Sequence, residues 1–141
     1  MPTAAAHPLL LPLLAMVGLT LLVWLRLYQL RLGEMKRSRI DPQRLAGSAD
    51  KGLLKDTRAS DNFSNLFEVP MLFYALVLAT LASGIADPAL VVLAWTFVGL
   101  RAVHSTIQCT YNRVMHRFSA YALATGMLFA YTGRLAWVAA G

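Results

Sequence analysis

The stretch that decides the fold is residues 88–111, PALVVLAWTFVGLRAVHSTIQCTY. Its first thirteen residues carry no charge, and a helix of this length would be about 36 Å long, enough to cross the hydrocarbon core of a bilayer. Arg101, His104, Gln108 and Tyr111 follow at spacings of three, four and three, which place them on one helix face. Because a charged group at that depth in a membrane is costly and usually faces a protein interior, this polar face is the first candidate for a functional site.

The composition extends the membrane interpretation to the whole chain. Hydrophobic residues make up 57% of the 141 positions and charged residues 14%, and three further blocks, 9–25, 69–86 and 118–133, carry no charge. With their flanks, these blocks reach or approach the roughly 20 residues that a spanning helix needs. We therefore predict an all-α fold, an integral membrane up-down four-helix bundle. A single domain, residues 1–141, would contain helices at about 8–32, 61–84, 88–111 and 114–138 and a long loop at about 33–60.

Basic residues are distributed unevenly between the predicted loops. Eight Lys or Arg residues lie between positions 31 and 58, and Arg113 and Arg117 lie between helices three and four, whereas the connection between helices two and three has none. By the positive-inside rule, loops one and three are cytoplasmic and both termini lie outside the cytoplasm. This predicts a multi-pass protein with four spans. We expect it in the bacterial inner membrane.

Composition also argues against several functions. The basic residues of loop one alternate with acidic residues and have no accompanying aromatics, so we predict contact with the lipid bilayer and no nucleic acid. The one cysteine, Cys109, excludes an intrachain disulfide. Three scattered histidines and this cysteine lack the spacing of a metal site, so no metal is predicted. Any thiol chemistry would use a thiol from outside the chain.

In an up-down arrangement the polar residues of all four helices lie at one membrane level. On helix two, Arg58, Asn62, Asn65 and Glu68 share a face at spacings of four, three and three. Arginine forks suit carboxylates, and amides suit a peptide backbone, so the pattern predicts a pocket for a small, acidic, amide-bearing ligand. The alternative is that these residues pair with one another and close the bundle, with Glu68 bonded to Arg101 or Arg58.

The helix-two residues resemble a marker of the MAPEG family, the membrane-associated proteins in eicosanoid and glutathione metabolism. The marker is Arg-Ala, then Asn four residues after the Arg, then Glu three further, then Pro. Arg58-Ala59, Asn62 and Pro70 match it, but Asn65 occupies the Glu position, and the acid appears as Glu68. A second register would put Asn65 and Glu68 in the Asn and Glu positions, with Asp61 where the Arg should be; the first register keeps the Arg-Ala pair.

A second marker resembles the prostaglandin E synthase branch of the family. Arg101 and His104 match its Arg-x-x-His, and Arg117 and Tyr121 match its Arg-x-x-x-Tyr at the same interval. Gln108 replaces the Tyr that the branch carries one turn after the His. The resemblance covers nearly the whole chain.

This resemblance implies a homotrimer that binds glutathione at subunit interfaces near the cytoplasmic face. Arg117 would stabilise the glutathione thiolate, because a nearby guanidinium lowers the pKa of a thiol. A lipophilic small-molecule electrophile would reach the site from the bilayer. The residues expected to hold glutathione are Arg31 (or else Arg26), Arg58, Asn62, Asn65, Glu68, His104 and Tyr121.

The two departures, Asn65 and Gln108, leave the function open between classes. The resemblance implies a glutathione-dependent transferase or peroxidase. The alternatives are a family member that binds another thiol or acidic ligand, and a membrane protein with a structural or partner-binding role. Arg101 is expected to lock the bundle as an ion partner, with Glu68 as the candidate acid, and not to contact the ligand.

Overall fold

The computed structural model describes residues 7–41, 43 and 55–141. These residues form helices and short connections without a β-strand, which confirms the predicted all-α fold. The second predicted helix is interrupted, so the described residues form five helices. They are α1 (Leu10–Ser38), α2 (Arg58–Asn65), α3 (Val69–Ala82), α4 (Pro88–Cys109) and α5 (Val114–Ala139).

At one end of the bundle, the C-terminal part of α1 meets the start of α2 and the α4–α5 connection. The backbone N–H of Lys55 donates to Glu34 Oε1 at 2.7 Å, and Arg58 Nη1 donates to the carbonyl of Thr110 at 2.6 Å. We call this the basic end, because most of the chain's Lys and Arg residues lie near it.

At the other end, the segment before α1 meets the α3–α4 turn and the last part of α5. His7 Nε2 lies 3.2 Å from the carbonyl of Ile85, and Arg134 Nη2 lies 2.7 Å from Asp87 Oδ2. We call this the opposite end. Contacts between sequence-distant segments at both ends establish the up-down order of the bundle.

Helix α1 is longer than the 8–32 expected from the apolar block. It continues through Gly33 to Ser38 and ends where Arg39 adopts a left-handed conformation, with φ of 51°. Lys36 and Arg37 lie in its last turn, where positive charge is favourable to the helix dipole. Much of the expected loop at 33–60 lies outside the described residues, as do residues 1–6 of the expected domain.

The second predicted helix, expected at 61–84, is divided into α2 and α3 by Pro70. Proline has no N–H to donate to the carbonyl of Leu66, and its ring collides with that carbonyl in a continuous helix. Residues 66–68 therefore form a turn, and α3 begins with Pro70 in its first turn. The interruption lies beside the predicted polar pocket.

The helices pack around an apolar core and present apolar side chains outward. Phe73 of α3 stacks on Phe97 of α4 with ring centroids 4.6 Å apart, and α4 and α5 form the most extensive helix pair. Large apolar side chains such as Leu22, Leu72 and Phe129 are more than half exposed. In the described residues, α1, α2–α3 and α4 are long and apolar enough to cross a membrane.

Candidate functional site

A tight connection brings the start of α5 against the end of α4. Only four residues separate Cys109 from Val114, and Asn112 adopts φ of 49°, a left-handed conformation that Asn tolerates better than most residues. The N–H of Asn112 donates to the carbonyl of Ile107 at 2.8 Å, which closes α4. This geometry places the first turn of α5 beside His104.

A cavity of about 230 Å³ opens at this corner of the bundle. It brings together side chains from the α2–α3 break, from α4 and from α5. Five of the eight predicted site residues line it. Among the described residues, the lining consists of Asn65, Glu68, His104, Val114, Arg117, Phe118 and Tyr121.

Arg117 is the cation of this cavity. Its Nη1 donates to Asn112 Oδ1 at 3.0 Å, and its backbone carbonyl lies 3.0 Å from His104 Nδ1. Among the residues that the structure describes, no carboxylate lies within 4.0 Å of its guanidinium nitrogens. A partly buried guanidinium without an acid partner is suited to an anion from outside the chain.

His104, Gln108 and Asn65 form a hydrogen-bonded cluster at the back of the cavity. His104 Nε2 lies 2.9 Å from Gln108 Oε1, and Asn65 Nδ2 lies 3.2 Å from the same oxygen. His104 and Gln108 are 2% and 1% exposed. The two positions that depart from the family pattern, Asn65 and Gln108, are therefore in contact with each other.

The expected ion pair between Arg101 and Glu68 is not formed. Arg101 is fully buried and its Nη2 donates to the carbonyl of Asn65 at 2.9 Å, while its guanidinium lies 5.7 Å from the centre of the Tyr121 ring. The break at Pro70 explains the change, because it releases the Asn65 carbonyl from regular helix bonding and leaves Glu68 exposed. Within the described residues, Nε and Nη1 of Arg101 have no hydrogen-bond partner.

Arg58 lies outside the cavity and is occupied by internal contacts. Its Nε and Nη2 donate to the two carboxylate oxygens of Asp56 at 2.9 and 2.7 Å, and its Nη1 donates to Thr110. The pairing of Arg58 with Glu68 that the sequence left open is therefore replaced by pairing with Asp56. Hydrogen bonding from Arg58 lowers the pKa of Asp56 below its ordinary value, against the opposing effect of burial.

The other two predicted residues also lie away from the cavity. Asn62 is fully buried, donates to Cys109 Sγ at 3.4 Å and accepts from Ser105 Oγ at 3.3 Å. Arg31 is an exposed residue of α1 and is not among the cavity residues. Asn62 thus acts within the helix interface of α2 and α4.

Sequence reasoning missed the α5 residues Val114 and Phe118, which complete the cavity wall. The signal was present, since both share the helix face of Arg117 and Tyr121 at spacings of three and four. The structure also gives Asn112 a role at this corner, because it forms the turn and accepts from Arg117.

The fold and the cavity define an integral membrane helical bundle with a polar, cationic site at one end. The MAPEG family model matches residues 9–137 of the chain. The chain belongs to the MAPEG family, as its motifs predicted, and proteins of this family are commonly associated with glutathione. Comparisons with curated proteins and with solved structures give no match.

Proposed function

We propose that this protein is a membrane-embedded, glutathione-dependent transferase or peroxidase that acts on lipophilic electrophiles. The observation that carries the proposal is Arg117, a guanidinium without an acid partner in the described residues, on the wall of a cavity that also contains Glu68 and Tyr121. Arg117 would stabilise the thiolate of glutathione and thereby lower the pKa of its thiol.

The remaining polar groups of the cavity fit other parts of the tripeptide. Glu68 offers a carboxylate for the ammonium group, Tyr121 a hydroxyl for the sulfur or a carboxylate, and Asn65 an amide for the peptide backbone. We do not include Arg58 and Asn62 in this proposed contact set, because their polar atoms are engaged within the bundle.

The thiolate would react in one of two ways. Attack on an electrophilic carbon forms a carbon–sulfur bond and expels the leaving anion. Attack on a hydroperoxide breaks the oxygen–oxygen bond and, with a proton, gives an alcohol and a sulfenic acid; a second glutathione then gives the disulfide and water. The exposed apolar faces of the helices would admit a lipophilic substrate from the bilayer.

The proposal includes a homotrimer. Ligand pockets usually occupy about 300–1,000 Å³, whereas the cavity of one chain is about 230 Å³ and open. A neighbouring copy would complete the enclosure. We also propose that α5 is a fourth span and that the basic end faces the cytoplasm of a bacterial inner membrane, where the positive-inside rule places basic loops and where glutathione is abundant.

The test uses the purified protein in detergent with glutathione and two substrates, a halonitroarene and an organic hydroperoxide. We expect Arg117→Ala to lower the rate by roughly tenfold or more, since one electrostatic stabiliser is typically worth at least that much. Arg113→Ala is the matched control, because it removes the same charge from an exposed residue outside the cavity. Equal losses in the two variants would remove Arg117 from the mechanism.

A second candidate is a non-catalytic family member that binds an acidic ligand or a partner. Arg58 and Asn62 favour this candidate, because their side chains are hydrogen-bonded within the bundle and so have a structural role. Thermal unfolding separates the candidates: ligand binding raises the melting temperature. Stabilisation by glutathione without turnover supports the binding of an acidic ligand. No stabilisation at millimolar glutathione contradicts the transferase or peroxidase and the binding of glutathione, and favours a partner-binding role.

A further inference from the structure

A chain of hydrogen-bonded groups runs from the α2–α3 break to the first turn of α5. Asn65 contacts Gln108 at 3.2 Å, Gln108 contacts His104 Nε2 at 2.9 Å, and His104 Nδ1 contacts the carbonyl of Arg117 at 3.0 Å. Gln108 is the middle member and is nearly inaccessible. The chain therefore connects a buried amide to the backbone of the residue that carries the cation of the cavity.

The imidazole restricts how these groups can bond. With the Gln108 oxygen toward His104, both ring nitrogens face oxygen acceptors, but a neutral imidazole has only one N–H. Rotating the amides of Gln108 and Asn65 by a half turn removes the conflict. Gln108 Nε2 then donates one hydrogen to His104 Nε2 and the other to Asn65 Oδ1, and His104 Nδ1–H donates to the Arg117 carbonyl.

We propose that Gln108 is a positioning residue that sets the tautomer of His104 and, through it, the placement of Arg117. The amide nitrogen of Gln108 carries two N–H groups, so it donates to His104 and to Asn65 at once. A Tyr hydroxyl has a single O–H and would reach both only by donating to His104 while accepting from Asn65. Gln108 and Asn65 therefore act as a matched pair, in which each amide orients the other. The consequence for glutathione rests on the proposed function, whereas the hydrogen-bond polarity does not.

The first test needs no glutathione. In the ¹⁵N NMR spectrum of the ligand-free protein, the ring resonances of His104, identified by their loss in His104→Gln, should show a neutral ring protonated at Nδ1. Gln108→Glu presents acceptors only, so His104 should become protonated at Nε2. A doubly protonated His104 in the wild-type protein, or a tautomer unchanged in Gln108→Glu, would overturn the proposal.

The second test measures the effect on Arg117. Gln108→Leu keeps a similar volume and removes both donors. We expect kcat to fall by roughly tenfold or more with a much smaller change in the KM for glutathione, since small displacements of a positioned group are costly. Tyr131→Phe is the control, because it removes a buried hydrogen bond to Thr80 far from the cavity and should leave both constants unchanged.

The pairing with Asn65 predicts a non-additive effect. Asn65→Leu combined with Gln108→Leu should lower kcat little further than Gln108→Leu alone, because the two side chains act as one unit. Independent, multiplying losses would contradict the matched pair.

If the wild-type protein neither binds nor turns over glutathione but His104 shows the predicted tautomers, the proposed function fails and the positioning network stands. If turnover is glutathione-dependent but Gln108→Leu and Gln108→Glu change nothing, the network fails alone.

Discussion

The two ends of the bundle differ in whether their polar and charged groups are paired. At the opposite end, Arg134 pairs with Asp87 at 2.7 Å, and Tyr131 bonds to Thr80 at 2.9 Å. At the basic end, Arg117 and Arg101 have no carboxylate within 4.0 Å in the part of the chain that the structure describes. Unpaired charge in an apolar bundle costs stability. The difference indicates that the polar groups of the opposite end stabilise the fold. The basic end, by contrast, needs a ligand or a second copy to pair its charges.

The largest expected difference between the two ends appears when one arginine is replaced at each. Arg101→Met removes a buried charge that has one hydrogen bond, so it should leave the free energy of unfolding unchanged or raise it by about 1–4 kcal/mol, as found when buried charges are replaced by apolar groups of similar volume. Arg134→Met breaks the pair with Asp87 and should lower stability. Thermal or denaturant unfolding in detergent measures both.

Arg101→Met would contradict the proposed difference between the two ends if it lowered stability strongly, and by more than Arg134→Met does. That result would mean that Arg101 is paired with an acid in the assembled protein, and the nearest candidate would be a carboxylate of another copy.

A smaller effect concerns Asp56, which is paired with Arg58 at the basic end. Its folded-state pKa is lowered from the ordinary 3.8, chiefly by hydrogen bonding from Arg58. The stabilisation is therefore fully present above the pKa of the unfolded state and is lost as the pH falls through the lower folded-state value. Asp56→Asn should reduce the melting temperature slightly at neutral pH, and the difference from wild type should disappear on acidification.

A double variant checks that the effect belongs to the pair. Asp56→Asn should add little to Arg58→Met, because the first change has no partner left to lose. A difference between wild type and Asp56→Asn that persists unchanged below pH 3.8 would show that the carboxylate does not stabilise through its charge.

The sequence predicted the helical membrane fold because long uncharged blocks have few other solutions. It also predicted that Arg117, His104 and Tyr121 lie close together, as they do around one cavity, because their spacing on one helix or across a short turn is local information. It did not predict the interruption at Pro70, although the residue was visible in the helix-two marker. Proline is tolerated in membrane helices. Whether the helix breaks depends on whether a neighbouring side chain can bond to the freed backbone carbonyls, as Arg101 does to that of Asn65.

Contacts between distant segments account for the remaining differences. The pairing of Asn65 with Gln108 joins residues 43 positions apart and depends on the register of α2 against α4, which periodicity leaves undetermined. The expected Arg101–Glu68 pair also joins two helices, and it is absent because the break at Pro70 leaves Glu68 exposed. Asp56 and Arg58, by contrast, are two residues apart, and an acid just before a helix that begins with Arg was a local signal for their pairing.

The most direct test of the account is the ultraviolet absorbance of the glutathione thiolate on the purified protein, measured in detergent at neutral pH. We expect a thiolate band for wild type and Arg113→Ala that is lost in Arg117→Ala, while glutathione at saturating concentration still raises the melting temperature of all three. A thiolate band of equal intensity in Arg117→Ala would show that the guanidinium of Arg117 does not stabilise the nucleophile.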